Sequence, residues 1–195
     1  MTASHNSGTS RRAVFLDRDG TLNVEVNYLH RIKDLVLVPG AAAAIRSLSQ
    51  AGFSVIVVTN QAGIARGYYD ETALHTLHEE IQRRLAAEGA QIDAFYFCPH
   101  HPDFGGACEC RKPAPGMLKQ AAQDHAIDLT HSWLIGDTSG DIGAGSAVGC
   151  RTILVRSGYG AQAEAALGSG ITPQPEAIVD DLSAAAGYIL SHDHG

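Results

Sequence analysis

The chain has 195 residues, 45% apolar and 18% charged, with a formal net charge of −7. One good core fits that length, so a single domain over 11–191 is expected behind a polar segment, 1–10, read as disordered. The acidic balance disfavours nucleic acid and anionic membranes as partners, no apolar run approaches the ~18 residues of a membrane span, and the N-terminus lacks a signal-peptide core, which together point to a cytoplasmic protein.

Apolar runs alternate with helical patterns along the chain. Ala13-Val14-Phe15-Leu16 reads as a buried strand that breaks at Gly20. A helix is predicted over 40–51, then a β-branched strand over 53–58 that stops at Thr59-Asn60-Gln61. Asp70 can cap the next helix, whose Leu74, Leu77, Ile81 and Leu85 form one stripe before Gly89; His75 and His78 lie off that stripe and read as solvated. Further strands are expected over 94–97, 132–135, 152–155 and 177–179, and helices over 115–125, 142–148 and 181–190. Residues 157–175 read as a long loop with a short helix at 162–167, and 191–195 as a frayed tail whose two histidines bind metal at most weakly. Strands alternating with helices predict an α/β fold with a doubly wound, mostly parallel, Rossmann-like sheet.

The polar clusters then fall where such sheets bind ligands, at the carboxyl ends of strands. Asp17 and Asp19 follow the first strand, and their i, i+2 spacing points both carboxylates the same way; a shared divalent cation or a bound proton would relieve their repulsion. Thr59-Asn60 ends the second strand, Asp137 and Asp141 follow the fourth, and Arg111-Lys112 precedes a helix start that suits an anion. Singly, each reads better as a cap, a turn or a surface cation. Four together at one sheet edge do not arise readily by chance. Separately, Cys98-x-His100, seven residues, then Cys108-x-Cys110 offers three thiolates and one imidazole, the set of a closed structural zinc site, at a spacing tighter than that of zinc fingers. His101 is the other imidazole within reach, a redox pair or catalytic zinc is the other chemistry, and Cys150 reads as a buried small hydrophobe.

The ordered set Asp17-x-Asp19-Gly20-Thr21, Thr59-Asn60, Lys112-Pro113 and Gly136-Asp137-x-x-x-Asp141 resembles the four motifs of the haloacid dehalogenase-like phosphatases, over roughly 12–190. Within them, Tyr28-Leu29-His30, the Thr59 to Gly67 segment, Cys98-Pro99-His100-His101-Pro102 and Cys110-Arg111-Lys112-Pro113 resemble the D-glycero-D-manno-heptose 1,7-bisphosphate 7-phosphatases. The related histidinol-phosphatases share the zinc-bearing loop but generally lack Gly63-Ile64-Ala65-Arg66-Gly67.

The resemblance implies hydrolysis of a phosphorylated sugar in nucleotide-activated heptose biosynthesis, with histidinol phosphate as the alternative substrate and a silent phosphosugar-binding module as the alternative class. It implies Asp17 as nucleophile, Asp19 as general acid and base, and Mg²⁺ on the Asp17 side chain, the Asp19 carbonyl and Asp137. Thr59, Asn60, Gln61 and Lys112 would then face the phosphoryl group or substrate, and Asp141 would orient Lys112 or cap its helix. It also assigns structural Zn²⁺ to Cys98, His100, Cys108 and Cys110. No segment is long enough for a separate cap domain, so loops 24–33 and 63–69 and the zinc loop, ending at Arg111, are left to select the substrate. A monomer is expected.

Overall fold

The computed structural model describes residues 11–167 and 173–193. The disorder expected over 1–10, part of the loop expected over 157–175, and His194 lie outside the described residues. Strands β1 (Arg12–Leu16), β2 (Phe53–Asn60), β3 (Ala94–Cys98), β4 (Trp133–Gly136), β5 (Arg151–Val155) and β6 (Ala177–Val179) form one sheet in the order β3-β2-β1-β4-β5-β6. Every pairing is parallel.

Unbroken apolar runs, not alternating ones, build these strands because both faces are covered. Helices α1 (Ala41–Gln50), α3 (Glu71–Ala87) and α7 (Leu182–His192) close one face, where Val14, Leu16, Val55, Val57 and Ile153 meet Ile45, Leu77, Ile81 and Ile189. On the other, Ala13, Phe15, Ile56, Val58 and Leu134 pack under α4 (Gly116–His125) and α5 (Ser139–Ser146). Helix α6 (Gly160–Leu167) joins α5 over Leu154, and the single turn α2 (Ala62–Ala65) follows β2. Two 3₁₀ turns, Ile32–Asp34 and Leu129–His131, were not expected from the periodicity. The chain winds outward from β1 through β2 to β3 and then restarts at β4 on the other side of β1. That reversal opens a crevice beyond the ends of β1 and β4.

Several boundaries differ from the sequence reading. Helix α5 starts at Ser139, not 142, because Thr138 and Asp141 form a reciprocal capping box that no apolar pattern reports. Helix α7 runs on to His192, and Asp193 pairs with Arg12 at 2.6 Å, so 191–193 are not frayed. His78 is not solvated: it is 5% exposed and stacks on Phe95 with ring centroids 4.5 Å apart. His75 is exposed as expected.

Candidate active site

Asp17 stands at the crevice because its N–H donates to the Ile135 carbonyl of β4, 2.9 Å away, continuing the sheet by one residue. It is only 8% exposed. Lys112 Nζ lies 2.9 Å from Asp17 Oδ1 and 2.5 Å from Asp141 Oδ1, and it donates to the Val58 carbonyl at 2.7 Å. Three acceptors thus meet the three protons of a buried ammonium. The Lys112 backbone is held as firmly: its N–H donates to Asn60 Oδ1 at 3.0 Å, and Asn60 Nδ2 donates to its carbonyl at 3.1 Å.

Burial alone would lower the Lys112 pKa, but Asp141 and then Asp17 outweigh it and hold the ammonium above its usual range. Asp17 is raised well above the carboxylate range by burial, with Asp141 and Asp137 adding to it and Lys112 opposing. Asp137 is raised to about 7, chiefly by burial, against the stabilising Tyr159 N–H at 2.8 Å from Oδ2. Carboxylate oxygens of Asp17, Asp137 and Asp141 all lie within 4.8 Å of one another. Three carboxylates around one ammonium leave an excess of negative charge.

A hard cation fits that excess. Asp141 is the carboxylate tied to the protein: Oδ2 accepts from the Thr138 N–H and hydroxyl at 3.0 and 2.5 Å, and Oδ1, without a directed hydrogen bond among the described residues, is ion-paired with Lys112 Nζ. Asp137 Oδ1 is buried without a hydrogen-bond partner among the described residues, and the Lys112 and Arg18 N–H contacts to Asp17 both fall on Oδ1. Open carboxylate oxygens on Asp17 and Asp137 suit Mg²⁺, which takes one or two carboxylates and keeps waters. The backbone makes room: a Cβ at Gly20 or Gly158 would fall 2.1 Å from Asp137 Oδ2. Gly20 also has φ +84°, where only glycine is at ease.

Asp19 points into a separate network. Arg18, fully buried, grips it with Nη2 at 2.7 Å from Oδ2 and Nε at 3.1 Å from Oδ1; Asn23 Nδ2 and Gln61 Nε2 each donate to it at 3.0 Å. Gln61 Nε2 also reaches Thr59 Oγ1 at 2.7 Å, and the Tyr69 hydroxyl donates to Gln61 Oε1 at 2.6 Å. The structure therefore brings Asp17, Asp19, Thr59, Asn60, Gln61, Arg111, Lys112 and Asp137 to one cleft of about 310 Å³. The carboxamides of Asn60 and Gln61 are engaged by the protein, with Lys112 and with Asp19, Thr59 and Tyr69 respectively.

Sequence reasoning named the loops 24–33 and 63–69 but not Glu25 and Tyr69 within them, and it missed Tyr159; all three line the cleft. Glu25 is raised to about 7, first by burial, then by Asp19 and Asp17. A lone carboxylate between Val24 and Val26, just after the Asp17–Thr21 segment, was the available signal.

At the rim, Cys98, His100, Cys108 and Cys110 converge. The sulfurs are 2.9 to 3.5 Å apart, and His100 Nδ1 lies 3.3 Å from Cys110 Sγ and 3.7 Å from Cys98 Sγ. Thiolates on a tetrahedral zinc stand roughly 3.8 Å apart, so a small inward ion fits with slight expansion. His101 is turned away: its Nε2 faces Arg66 at 3.1 Å and its ring meets Phe104. Burial raises the Cys98 thiol; Cys108 is lowered to about 7, burial being outweighed by hydrogen bonds from Cys110, the Arg111 N–H and Cys98. Arg111, next after the tetrad, donates Nη1 to the His100 carbonyl at 3.2 Å and faces the cleft.

A parallel sheet in this order, with an Asp-x-Asp pair, a lysine and an acidic pair meeting at its switch point, defines a haloacid dehalogenase-like hydrolase. The HAD-hydrolase-like family model matches residues 109–185. D-glycero-beta-D-manno-heptose-1,7-bisphosphate 7-phosphatase of Pseudomonas aeruginosa is 41% identical over 182 residues, 93% of this chain and 99% of that one. Its Escherichia coli counterpart is 43% identical over 174 residues, 86% of each. The crystal structure of D,D-heptose 1.7-bisphosphate phosphatase from B. bronchiseptica, complexed with magnesium and phosphate, matches with TM-score 0.83 at 36% identity, covering 92% of this chain and 98% of that one. The chain belongs to the D-glycero-D-manno-heptose 1,7-bisphosphate 7-phosphatase family of phosphomonoester hydrolases.

Proposed function

We propose that this protein hydrolyses the C7 phosphate of D-glycero-D-manno-heptose 1,7-bisphosphate, with Asp17 as nucleophile. The observation that carries the reading is the Asp17–Lys112–Asp141 constellation beside the open oxygen of Asp137. Asp17 attacks phosphorus, the P–O bond to the sugar breaks, and the departing oxygen takes a proton from Asp19. Water then gives a proton to Asp19 and attacks phosphorus of the aspartyl-phosphate, releasing inorganic phosphate and restoring both carboxyl groups. Lys112 and Thr59 steady the phosphoryl oxygens as charge shifts, Asn60 fixes the backbone that carries Lys112, and Gln61 ties Thr59 to Asp19.

Magnesium, held by Asp17, the Asp19 carbonyl and Asp137, would neutralise the meeting of a carboxylate with a phosphate dianion. Zinc on Cys98, His100, Cys108 and Cys110 would stiffen a loop of little apolar content and so place Arg111 for the distal phosphate or sugar oxygens. Residues 11–191 act as a single domain and the protein works as a cytoplasmic monomer on a phosphorylated sugar, without nucleic acid or membrane. The charge of −7 disfavours nucleic acid and anionic membrane as partners, and among the described residues no helix is long and apolar enough to cross a membrane.

Phosphate release compared across both anomers of heptose 1,7-bisphosphate, fructose 1,6-bisphosphate and histidinol phosphate tests the substrate. The heptose bisphosphate should give the highest kcat/KM. A higher value for histidinol phosphate would leave the chemistry standing and overturn the heptose assignment.

A further inference from the structure

Among the described residues Arg18 is the second-largest fully buried side chain, and only its backbone belongs to the nucleophile segment's turn. A guanidinium has donors only, so each neighbour must accept. Its Nε and Nη2 fork onto both oxygens of Asp19, Nη2 also meets the Leu29 carbonyl at 3.2 Å, and Nη1 lies 3.4 Å from His78 Nε2. His78 therefore offers a lone pair, as a neutral ring. Burial, aided by Arg18 and His75, lowers its pKa to about 3, which keeps it in that form. Phe95, stacked 4.5 Å away at 19°, fixes the ring from β3.

We propose that Arg18 is a positioning residue for the general acid, held from behind by His78, so that a fork of fixed plane sets which way the Asp19 carboxyl faces the leaving oxygen. Three features support this over a simple ion pair. The bidentate contact fixes the carboxyl plane, which a point charge cannot do. Leu29 and His78 occupy the guanidinium's other directions, so it cannot turn with Asp19. Asn23 and Gln61 reach the same carboxylate from other sides, at 3.0 Å each. The inference rests on Asp19 serving as the acid under the function proposed above.

General acid catalysis matters for an alkoxide leaving group and little for p-nitrophenolate, which departs unprotonated. The test compares kcat/KM, relative to wild type, on heptose 1,7-bisphosphate and on p-nitrophenyl phosphate. Arg18→Lys keeps the charge and removes the fork; it should lose at least about tenfold more on the sugar phosphate than on the aryl ester. His78→Leu should show the same bias at roughly threefold, and His78→Gln, which restores an acceptor, should show less of it. Equal losses on both esters for Arg18→Lys would overturn the inference. Where that variant does not fold, an unbiased His78→Leu would do so. Asp19→Asn separates the two levels of argument: if it loses both esters alike, the acid role itself is wrong, whereas a biased Asp19→Asn beside an unbiased Arg18→Lys rejects only the positioning role.

Discussion

Asp141 does two jobs with one carboxylate, and its removal has a cost that can be worked out. Oδ1 pairs with buried Lys112 at 2.5 Å and Oδ2 closes the capping box of α5 with Thr138. Asp141→Ala strands half of a buried ion pair, which costs roughly 3–5 kcal/mol; Lys112 keeps Asp17 at 2.9 Å, so the lower end applies. Thr138 still caps the helix through the residue 141 N–H, but loss of the Oδ2 contacts to the Thr138 N–H and hydroxyl adds about 1 kcal/mol, for a total of about 4 kcal/mol. A domain of this size shifts its Tm by about 2–4 °C per kcal/mol, so Asp141→Ala should melt roughly 8–16 °C below wild type. Asp141→Asn keeps an acceptor for the Thr138 N–H and should fall between the two. Thermal unfolding followed by circular dichroism, in one buffer with Mg²⁺, reads all three proteins. An Asp141→Ala melt within about 3 °C of wild type would show that Lys112 finds its stability elsewhere.

Asp17→Asn should abolish turnover, because an amide cannot form the acyl-phosphate, and activity within about tenfold of wild type would reject the nucleophile. Asn60→Ala removes both hydrogen bonds to the Lys112 backbone, about 1–3 kcal/mol together, and should lower kcat/KM on sugar and aryl esters alike; a loss confined to one ester would argue against it. Protein purified without chelators should retain close to one zinc after dialysis by elemental analysis, and Cys108→Ser or Cys110→Ser should lower both Tm and zinc content. Glu25 gives a pH prediction: its folded pKa, about 7, lies above its ordinary 4.5, so the folded state is disfavoured as pH rises through that window. Glu25→Gln should therefore raise Tm at pH 8 and not at pH 4, and an equal effect at both would refute the assignment.

Much of this molecule was legible in its residues. Two-sided burial writes strands as continuous apolar runs, so all six β-strands were found within two residues, and the polar breaks at Asp17, Thr59 and Asp137 marked the ends that meet. What the sequence hid were interactions without periodicity. The start of α5 depends on a reciprocal contact between Thr138 and Asp141. His78 sits one step off the apolar stripe of α3, yet Phe95 and Arg18 bury it, a contact made across the fold. The resemblance set Asn60 facing the phosphoryl group, while its carboxamide is turned to the Lys112 backbone. The Cys/His tetrad was legible by ligand type, and the choice of His100 over His101 rests on the turn that sends His101 to Arg66.

The crevice divides labour between kinds of backbone. Asp17, Thr59, Lys112 and Asp137 hang from strand ends or are pinned to them by hydrogen bonds, whereas Glu25, Tyr69, Arg111 and Tyr159 sit on connecting segments. Segments that carry few sheet contacts tolerate insertion and replacement far better than strand termini do. Under the function proposed above, bond cleavage and partner choice would thus be separately heritable, and grafting the stretches around 24–30 and 99–111 from a homologue, its zinc ligands included, would be a direct route to a new phosphate ester without rebuilding the chemistry.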